Sequence, residues 1–348
     1  SGTASITDNT ANQGGGVYVK VTGVGVNSGK FEMNNTASVS DNTAKNGGGV
    51  YVESGKFEMN GTSRVSGNTA KDDKTPSDTN GGAKSASKSG TFNMNDGTIS
   101  GNTATNTDKK NTTYGGGVYV SGGTFTMNGG TSSVTGNTAT NGGGVSVSSG
   151  KFNMNDGTIS GNTGNGVFVN GGTFTVSNTP TVTGNTKGST DSAASNVYLA
   201  GGAYITIGGK LNASASIGVT KTDDNGVFAK GADADYSGKF SSDDNTYEVK
   251  YEDTQLVLKR IAGQHTHNWT YRATDATIKA TCTGEGVCDV NNNGGSVTIN
   301  PPANLTQGSN GKTATVTVSD NWKGPAVNEI TYWKSVDSGN TYTNLDGA

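Results

Sequence analysis

Short apolar runs alternate with polar residues in a phrase that recurs along roughly the first 210 residues of the chain. In one copy Val50 and Val52 flank a tyrosine, and Phe57 and Met59 flank a glutamate. An alternation of period two places successive side chains on opposite faces of a strand. Each run therefore predicts a short β-strand with one buried face.

Seven copies of the phrase are present, and each contains variants of three runs, Gly-Val-Tyr-Val, Thr-Phe-x-Met-Asn and Thr-Ile-Ser-Gly-Asn-Thr. No single copy can bury its own inner face, so the copies must stack. We predict an all-β parallel β-helix solenoid with three strands per rung over residues 1–260, ending in capping rungs. A β-sandwich would explain the short strands but not the repeated phrase. The aromatic position of the second run is assigned to Phe31, Phe57, Phe92, Phe125, Phe152, Phe174 and Tyr204.

Asparagine recurs at two places in the phrase. One set ends the second run, and its amides are predicted to face inward and to form hydrogen bonds along the rod. The other set belongs to an Asn-Thr turn, where Asp8 and Asp41 replace the usual glycine. The first set comprises Asn34, Asn60, Asn95, Asn128 and Asn155.

Composition and charge agree with this interpretation. Of 348 residues only 30% are apolar, but there are 56 glycines, five prolines and a net charge of -3, which favours a repetitive β-protein over a disordered chain. Near-neutral charge predicts no nucleic-acid partner, and no apolar run approaches the roughly 18 residues of a membrane helix. No targeting signal is visible, and we expect the sequence to be a fragment of a longer protein.

The motifs resemble a known class of repeats. The tetrapeptides are FEMN at 31–34 and 57–60, FNMN at 92–95 and 152–155, and FTMN at 125–128, paired with Gly-Gly-Gly-Val. They resemble the GGA(I/V) and FxxN repeats of chlamydial polymorphic outer-membrane proteins, and the β-helical repeats of large surface proteins of Gram-positive gut bacteria. The resemblance implies an adhesive, extracellular protein attached to the cell wall through parts outside this sequence. It supplies no catalytic residues.

The composition changes after residue 260. We predict a linker at 261–265 and small, Ig-like β modules, truncated at the end, over 266–348. Cys282 and Cys288 are predicted to form a disulfide, because the chain is expected to be extracellular. A zinc site completed by His265 and His267, or a pair of reduced thiols, is the alternative.

Three polar insertions, 71–89, 105–114 and 187–195, interrupt the repeat at one recurrent corner. Equivalent corners stack in a solenoid, so the insertions should lie along one edge, where repeat proteins often bind. A row of outward tyrosines is a second candidate, although such rings also pack across rungs. Solvated loops that only keep the rod soluble are the alternative for the insertions. The candidate contacts are Lys71, Lys74, Lys84, Lys88, Lys109, Lys110 and Tyr114 in the insertions, and Tyr18, Tyr51 and Tyr119 in the row.

The repeat carries no recognisable catalytic constellation. Asp96 and Asp156 occupy the same place in two Asn-Asp-Gly-Thr phrases, which suggests turn residues rather than a catalytic pair. We predict no enzyme activity, no cofactor and no metal. The expected function is a non-catalytic adhesin on the cell surface that binds a host glycan or glycoprotein or an environmental ligand. A passive stalk is the first alternative, and a polysaccharide-degrading β-helix enzyme is the second.

Overall fold

The chain divides into two compact units, residues 1–260 and 261–348. A computed structural model describes residues 3–21, 29–72, 79–82, 84–86, 89–106, 112–188, 190–221, 226–261, 269–274, 277–282, 293–300, 315–319, 333–335 and 342–344.

The first unit consists of short strands. In chain order they begin with β1 (Ser5–Thr7), β2 (Thr10–Gln13), β3 (Val17–Val19), β4 (Lys30–Met33), β5 (Ser38–Ser40), β6 (Thr43–Asn46), β7 (Val50–Val52), β8 (Lys56–Met59), β9 (Arg64–Ser66), β10 (Thr69–Asp72), β11 (Thr79–Asn80), β12 (Lys84–Ala86), β13 (Thr91–Met94), β14 (Thr98–Ser100) and β15 (Thr103–Asn106). They continue with β16 (Thr113–Tyr114), β17 (Val118–Val120), β18 (Thr124–Met127), β19 (Ser133–Thr135), β20 (Val145–Val147), β21 (Lys151–Ser160), β22 (Val167–Val169), β23 (Thr173–Thr183), β24 (Val197–Leu199), β25 (Ile205–Leu211), β26 (Ser216–Lys221), β27 (Val227–Lys230), β28 (Phe240–Ser242), β29 (Tyr247–Glu252) and β30 (Gln255–Arg260).

The three predicted runs of each phrase form three stacks of parallel strands. In the second stack Phe57 of β8 pairs with Phe31 of β4 on one side and with Phe92 of β13 on the other. The same register continues from Phe92 to Phe125, so equivalent residues lie directly above one another. Successive coils of the chain therefore form a parallel β-helix, as the repeat predicts.

The core follows from the period-two alternation. Val50, Val52, Phe57 and Met59 are fully buried, and the equivalent side chains described in the other coils are buried too, apart from Phe31 in an N-terminal coil, which is partly buried. Phenylalanines of adjacent coils stack. The distance between ring centroids is 4.6 Å for Phe92–Phe125, 4.8 Å for Phe125–Phe152 and 4.9 Å for Phe152–Phe174. Such contacts add to the stabilisation from burial alone.

A fourth sheet follows the Asn-Thr turn and was not predicted. Strands β2, β6, β10 and β15 pair in parallel, and isolated bridges extend the stack through Thr138, Thr163 and Thr186. Its inner side is a small cluster of alanines. The Thr-Ala run is short and nearly all polar, so its hydrophobic signal is weak even though the dipeptide recurs.

The glycine block turns the chain from the fourth sheet into the next strand. Gly47 has a φ of 62°, a left-handed conformation that favours glycine. A Cβ at Gly48 would lie 2.3 Å from the carbonyl oxygen of Thr69 in the next coil. The block therefore combines a required backbone conformation with a close approach between coils.

The asparagines that end the second run form the predicted column of hydrogen bonds, here called the outer column. Asn95 Nδ2 donates to Asn60 Oδ1 at 2.8 Å, and Asn128 Nδ2 donates to Asn95 Oδ1 at 3.1 Å. The prediction of inward-facing amides is wrong, because these side chains are half-buried or exposed. The column occupies a corner of the rod, where water reaches it.

The asparagines of the Asn-Thr turn form a second column, here called the inner column, which is buried. Asn68 Nδ2 donates to Asn102 Oδ1 at 3.0 Å, and Asn102 Nδ2 donates to Asn137 Oδ1 at 2.8 Å. From Asn9 to Asn185 the residue before the asparagine has a positive φ, for example 64° at Gly67 and 58° at Asp41, a conformation that glycine adopts freely and aspartate tolerates. The members of the inner column are Asn9, Asn42, Asn68, Asn102, Asn137, Asn162, Asn185 and Asn196.

The assignment of Tyr204 to the aromatic core position is wrong. Ile205 pairs with Phe174, and Ile205 and Ile207 are buried, whereas Tyr204 is 41% exposed. Tyr204 immediately precedes the inward-facing Ile205, so it lies outside the core.

The C-terminal end of the solenoid is capped by a hairpin of β29 and β30. Its two-residue turn has Asp253 and Thr254 at positive φ, as tight hairpins require. Strand β30 also pairs antiparallel with β27, and its side chains Leu256 and Leu258 are buried. The hairpin pairs with strand edges that would otherwise stay open.

The second unit is antiparallel. Four strands, β31 (Trp269–Thr274), β32 (Thr277–Cys282), β33 (Asn293–Asn300) and β34 (Thr315–Val318), pair in chain order. A further pair is formed by β35 (Trp333–Ser335) and β36 (Tyr342–Asn344). An Ig-like fold for this unit remains a prediction.

Candidate binding surface

The three insertions leave the rod from the fourth sheet, and their flanks are stacked. Lys71 of β10 pairs with Thr105 of β15, and Asn80 of β11 pairs with Tyr114 of β16. The chain therefore leaves and re-enters the solenoid at the same place in successive coils. The prediction that these insertions share one edge is confirmed for the flanking strands.

The third insertion is a compact turn that holds Lys187 at this edge. The amide of Lys187 donates to the carbonyl of Ala193 at 3.0 Å, and the amide of Gly188 donates to the carbonyl of Asp191 at 2.9 Å. Lys187 Nζ lies 3.5 Å from Asp191 Oδ2, with both side chains largely exposed. The ammonium group is thus oriented but remains accessible to solvent.

A groove of about 430 Å³ lies between the second and third insertions, and we call it the threonine groove. The Oγ1 atoms of Thr113 and Thr140 are 3.1 Å apart, and the amide of Thr140 donates to Thr113 Oγ1 at 2.8 Å. These contacts fix one wall. The described residues that line the groove supply hydroxyl groups, a side-chain amide, one cation and the methyl groups of two alanines. They include Ala104, Thr105, Asn106, Thr113, Ala139, Thr140, Lys187 and Thr190.

The tyrosine row is not continuous. Tyr18 and Tyr51 are neighbours with centroids 5.4 Å apart, but Ser85 occupies the next position, between Tyr51 and Tyr119. Tyr18 is 43% exposed and its hydroxyl donates to Glu53, whereas Tyr51 is only 9% exposed. Packing across coils thus covers most of Tyr51.

An aromatic cluster lies near the threonine groove. Tyr114 packs against Tyr119 and Phe168 at centroid distances of 6.0 and 6.3 Å, and Phe168 stacks on Tyr198 at 5.4 Å. Lys187, Phe168 and Tyr198 also line a second depression of about 390 Å³. Sequence reasoning missed Phe168 and Tyr198, although both stand at the same middle position of the Val-x-Val run as Tyr119.

The predicted lysine contacts are only partly described. Lys71 is exposed on β10. Lys84 does not lie in an insertion loop as expected, because it belongs to β12 and pairs with Val50 and Val118. The insertion before it ends at β11, so the solenoid has already resumed there. The remaining predicted lysines lie outside the described residues, namely Lys74, Lys88, Lys109 and Lys110.

A charged group occupies the outer face of the second strand stack near the N-terminal coils. Glu58 Oε2 lies 2.8 Å from Lys30 Nζ, and Glu58 Oε1 lies 2.5 Å from Lys56 Nζ. Lys30 also contacts Glu32. Hydrogen bonds from Lys30 and Lys56 lower the pKa of Glu58 to about 2. This outward carboxylate is only 9% exposed, because the two lysines cover it.

The predicted disulfide and the alternative zinc site lie outside the side chains that the structure describes. Cys282 ends β32, and Cys288, His265 and His267 lie outside the described residues. In the part of the chain that the structure describes, no group of three or more His, Cys, Asp or Glu side chains is placed to hold a metal ion. The described residues include no helix with the length and apolar character needed to cross a membrane.

No family model, curated protein or solved structure gives a match to this chain. The resemblance to bacterial surface repeats therefore remains a prediction from the motifs.

Proposed function

We propose that this chain is an adhesin-like protein of a Gram-positive bacterial surface, and that it binds a host glycan or glycoprotein, or an environmental ligand, without catalysing a reaction. The solenoid presents the binding surface, and the antiparallel unit acts as an Ig-like spacer. Attachment to the cell wall is supplied by parts of the protein outside this sequence.

The observation that carries this proposal is the threonine groove. Two insertions far apart in sequence line it, through Thr105 and Thr113 on one side and Lys187 and Thr190 on the other. Hydroxyl and amide groups that converge on a depression can replace the hydrogen bonds that a glycan makes with water. Lys187 gives the groove a cation for an acidic sugar.

A passive stalk is the second candidate, and the two asparagine columns favour it. Side-chain hydrogen bonds link coil to coil from Asn9 to Asn196 in the inner column. A rod cross-linked in this way suits a spacer that carries another domain away from the cell.

Substitution of Gly188 by glutamine separates the two candidates. Gly188 lines the threonine groove and has no positive φ, and no heavy atom of the described residues lies within 4 Å of a Cβ built on it, so the fold should accept a side chain there. On an array of glycans and host glycoproteins, we expect the wild-type chain to bind and Gly188→Gln to lose at least about tenfold in affinity, or about 1.4 kcal/mol.

Gly130→Gln is the matched control, since Gly130 is equally open but lies at another corner. It should bind as the wild type does. A folded wild-type chain that binds nothing on the array would favour the stalk. Undiminished binding by Gly188→Gln would show that recognition lies away from the threonine groove.

A further inference from the structure

Tyr204 is one of two large exposed aromatic side chains among the described residues of the solenoid, and its surroundings differ from those of the other. Tyr18 packs against Tyr51 and donates its hydroxyl to Glu53. Tyr204 instead borders a hollow of about 430 Å³ between two glycine turns of adjacent coils. The two residues are similarly exposed, 41% for Tyr204 and 43% for Tyr18, but of the two it is Tyr204 that stands beside a hollow that a ligand could enter.

The hollow is formed by the turns that join the first and second strand stacks. Asn170, Gly172 and Thr173 come from one coil, and Gly201 and Thr206 come from the next. No heavy atom lies within 4 Å of a Cβ built at Gly201, so the missing side chain leaves open space beside the ring. The turns thus provide room for a small ligand next to Tyr204.

The polar groups around the hollow are available to a ligand. Within the described part of the chain, the side-chain amide of Asn170 and the hydroxyls of Thr173, Thr206 and Tyr204 make no hydrogen bond to another residue, whereas the backbone amide of Asn170 donates to the carbonyl of Val147. Together they offer both donors and acceptors. Lys230 of the following coil places its Nζ 4.3 Å from the centroid of the Tyr204 ring, and this contact helps to hold the ring in position.

This combination fits a sugar better than an apolar or a polyanionic ligand. The C–H face of a pyranose packs on an aromatic ring, while its hydroxyls bond to amide and hydroxyl groups at the rim. An apolar ligand would leave those rim groups without partners, which is costly. A polyphosphate would find no cationic side chain among the described residues that line the hollow, and only Lys230 beside the Tyr204 ring.

We propose that the hollow beside Tyr204 binds one pyranose residue of a glycan. It is a site separate from the threonine groove, and it involves none of the insertions. The proposal does not depend on the proposed ligand of that groove.

Saturation-transfer NMR with methyl glycosides of N-acetylglucosamine, galactose, mannose and N-acetylneuraminic acid tests the site. We expect at least one of them to receive saturation from the wild-type chain at millimolar concentration. Tyr204→Ala should lower the affinity at least about tenfold, because it removes the packing surface. Tyr204→Phe should keep most of the binding. Gly201→Gln should abolish it by filling the hollow.

Two variants serve as controls, with circular dichroism to confirm that every variant is folded. Tyr18→Ala removes a similarly exposed ring elsewhere and should not change binding of the monosaccharides. Gly188→Gln blocks the threonine groove, and a sugar that binds the hollow should keep its binding in this variant. Saturation of none of the four sugars in the Gly188→Gln chain would overturn the proposal, as would binding by that chain which survives the further change Tyr204→Ala. If Gly188→Gln loses binding on the array but keeps binding of the monosaccharides, only the threonine groove is affected. The two proposals can therefore be tested separately.

Discussion

The inner and outer asparagine columns use the same residue and the same side-chain hydrogen bond, but their environments differ. Asn102 in the inner column is fully buried, whereas Asn95 in the outer column is half-buried at a corner. In the outer column each amide donates to the coil before it, and in the inner column each donates to the coil after it. The two columns thus run in opposite directions along one rod.

Backbone contacts explain why the inner column has a fixed direction. The backbone amide of Asn68 and its Nδ2 both donate to Asn102 Oδ1, at 2.9 and 3.0 Å. A backbone N–H can only donate, so the atom that it meets must be the oxygen. Outer-column bonds join side chains only, and water can replace them. The difference predicts that burial, rather than residue type, sets how much a repeated amide contributes to stability.

The largest effect is expected for Asn102→Ala. It leaves the backbone amide of Asn68 without its acceptor and removes one of the acceptors of Asn68 Nδ2. It also removes the Nδ2 donor that serves Asn137 Oδ1 and the carbonyls of Val65 and Ser100, so several buried groups lose a partner together. Since each unsatisfied buried group costs about 1–3 kcal/mol, we expect a loss of about 3 kcal/mol or more. Urea unfolding followed by circular dichroism measures it.

Asn95→Ala is the matched control, because it breaks two bonds of the same kind in the outer column. Its expected cost is about 1 kcal/mol or less, since water can reach the groups that remain. Equal losses for the two variants would contradict the role assigned to burial.

The next effect concerns the end of the inner column, where a carboxylate replaces an amide. Asp243 accepts from the amide and the Nδ2 of Asn196 and from the hydroxyl of Thr220. We expect Asp243→Ala to cost about 1–2 kcal/mol, less than Asn102→Ala because this end is only partly buried. Thermal unfolding measures the loss.

Asp243→Asn sharpens the same test. The asparagine oxygen can accept both donors of Asn196, as the inner-column oxygens from Asn42 to Asn196 do for the asparagine before them, and we expect a loss below about 1 kcal/mol. If asparagine proves as damaging as alanine, the negative charge rather than the acceptor geometry terminates the column.

Much of the fold follows from alternation, because inward Phe57 and Met59 recur at matched positions and can be buried only by stacking. The inner column was missed because Asn68 lies in a Ser-Gly-Asn-Thr segment that is typical of exposed turns. Only the three-dimensional closure of the coil shows that the turn directs Asn68 inward, where it bonds to Asn102 and to the carbonyl of Val39.

The candidate sites were predictable to a smaller extent. The insertion edge follows from where the repeat is interrupted, and strand pairing places Lys71 and Tyr114 at its flanks. Tyr204 could not be placed, because Ala-Tyr-Ile-Thr-Ile permits either Tyr204 or Ile205 to face inward. Its hollow depends on two turns from different coils, and such a juxtaposition leaves no local pattern in the sequence.

The smallest effect is a pH dependence that comes from the outer face of the second strand stack and not from either asparagine column. The inner-column amides are neutral, but Glu58 lies on the outer face, and lysine contacts lower its pKa to about 2 from the usual value of about 4.3. Its contribution to stability is complete above about pH 4.3 and is lost as the pH falls through about 2. We expect Glu58→Gln to remove this term, worth no more than about 1 kcal/mol for partly screened pairs. The melting temperature of the variant should then fall less on acidification than that of the wild type. Parallel acid profiles for both chains would mean that water already screens the contacts with Lys30 and Lys56, so that the outer face, like the inner amides, adds no pH dependence of its own.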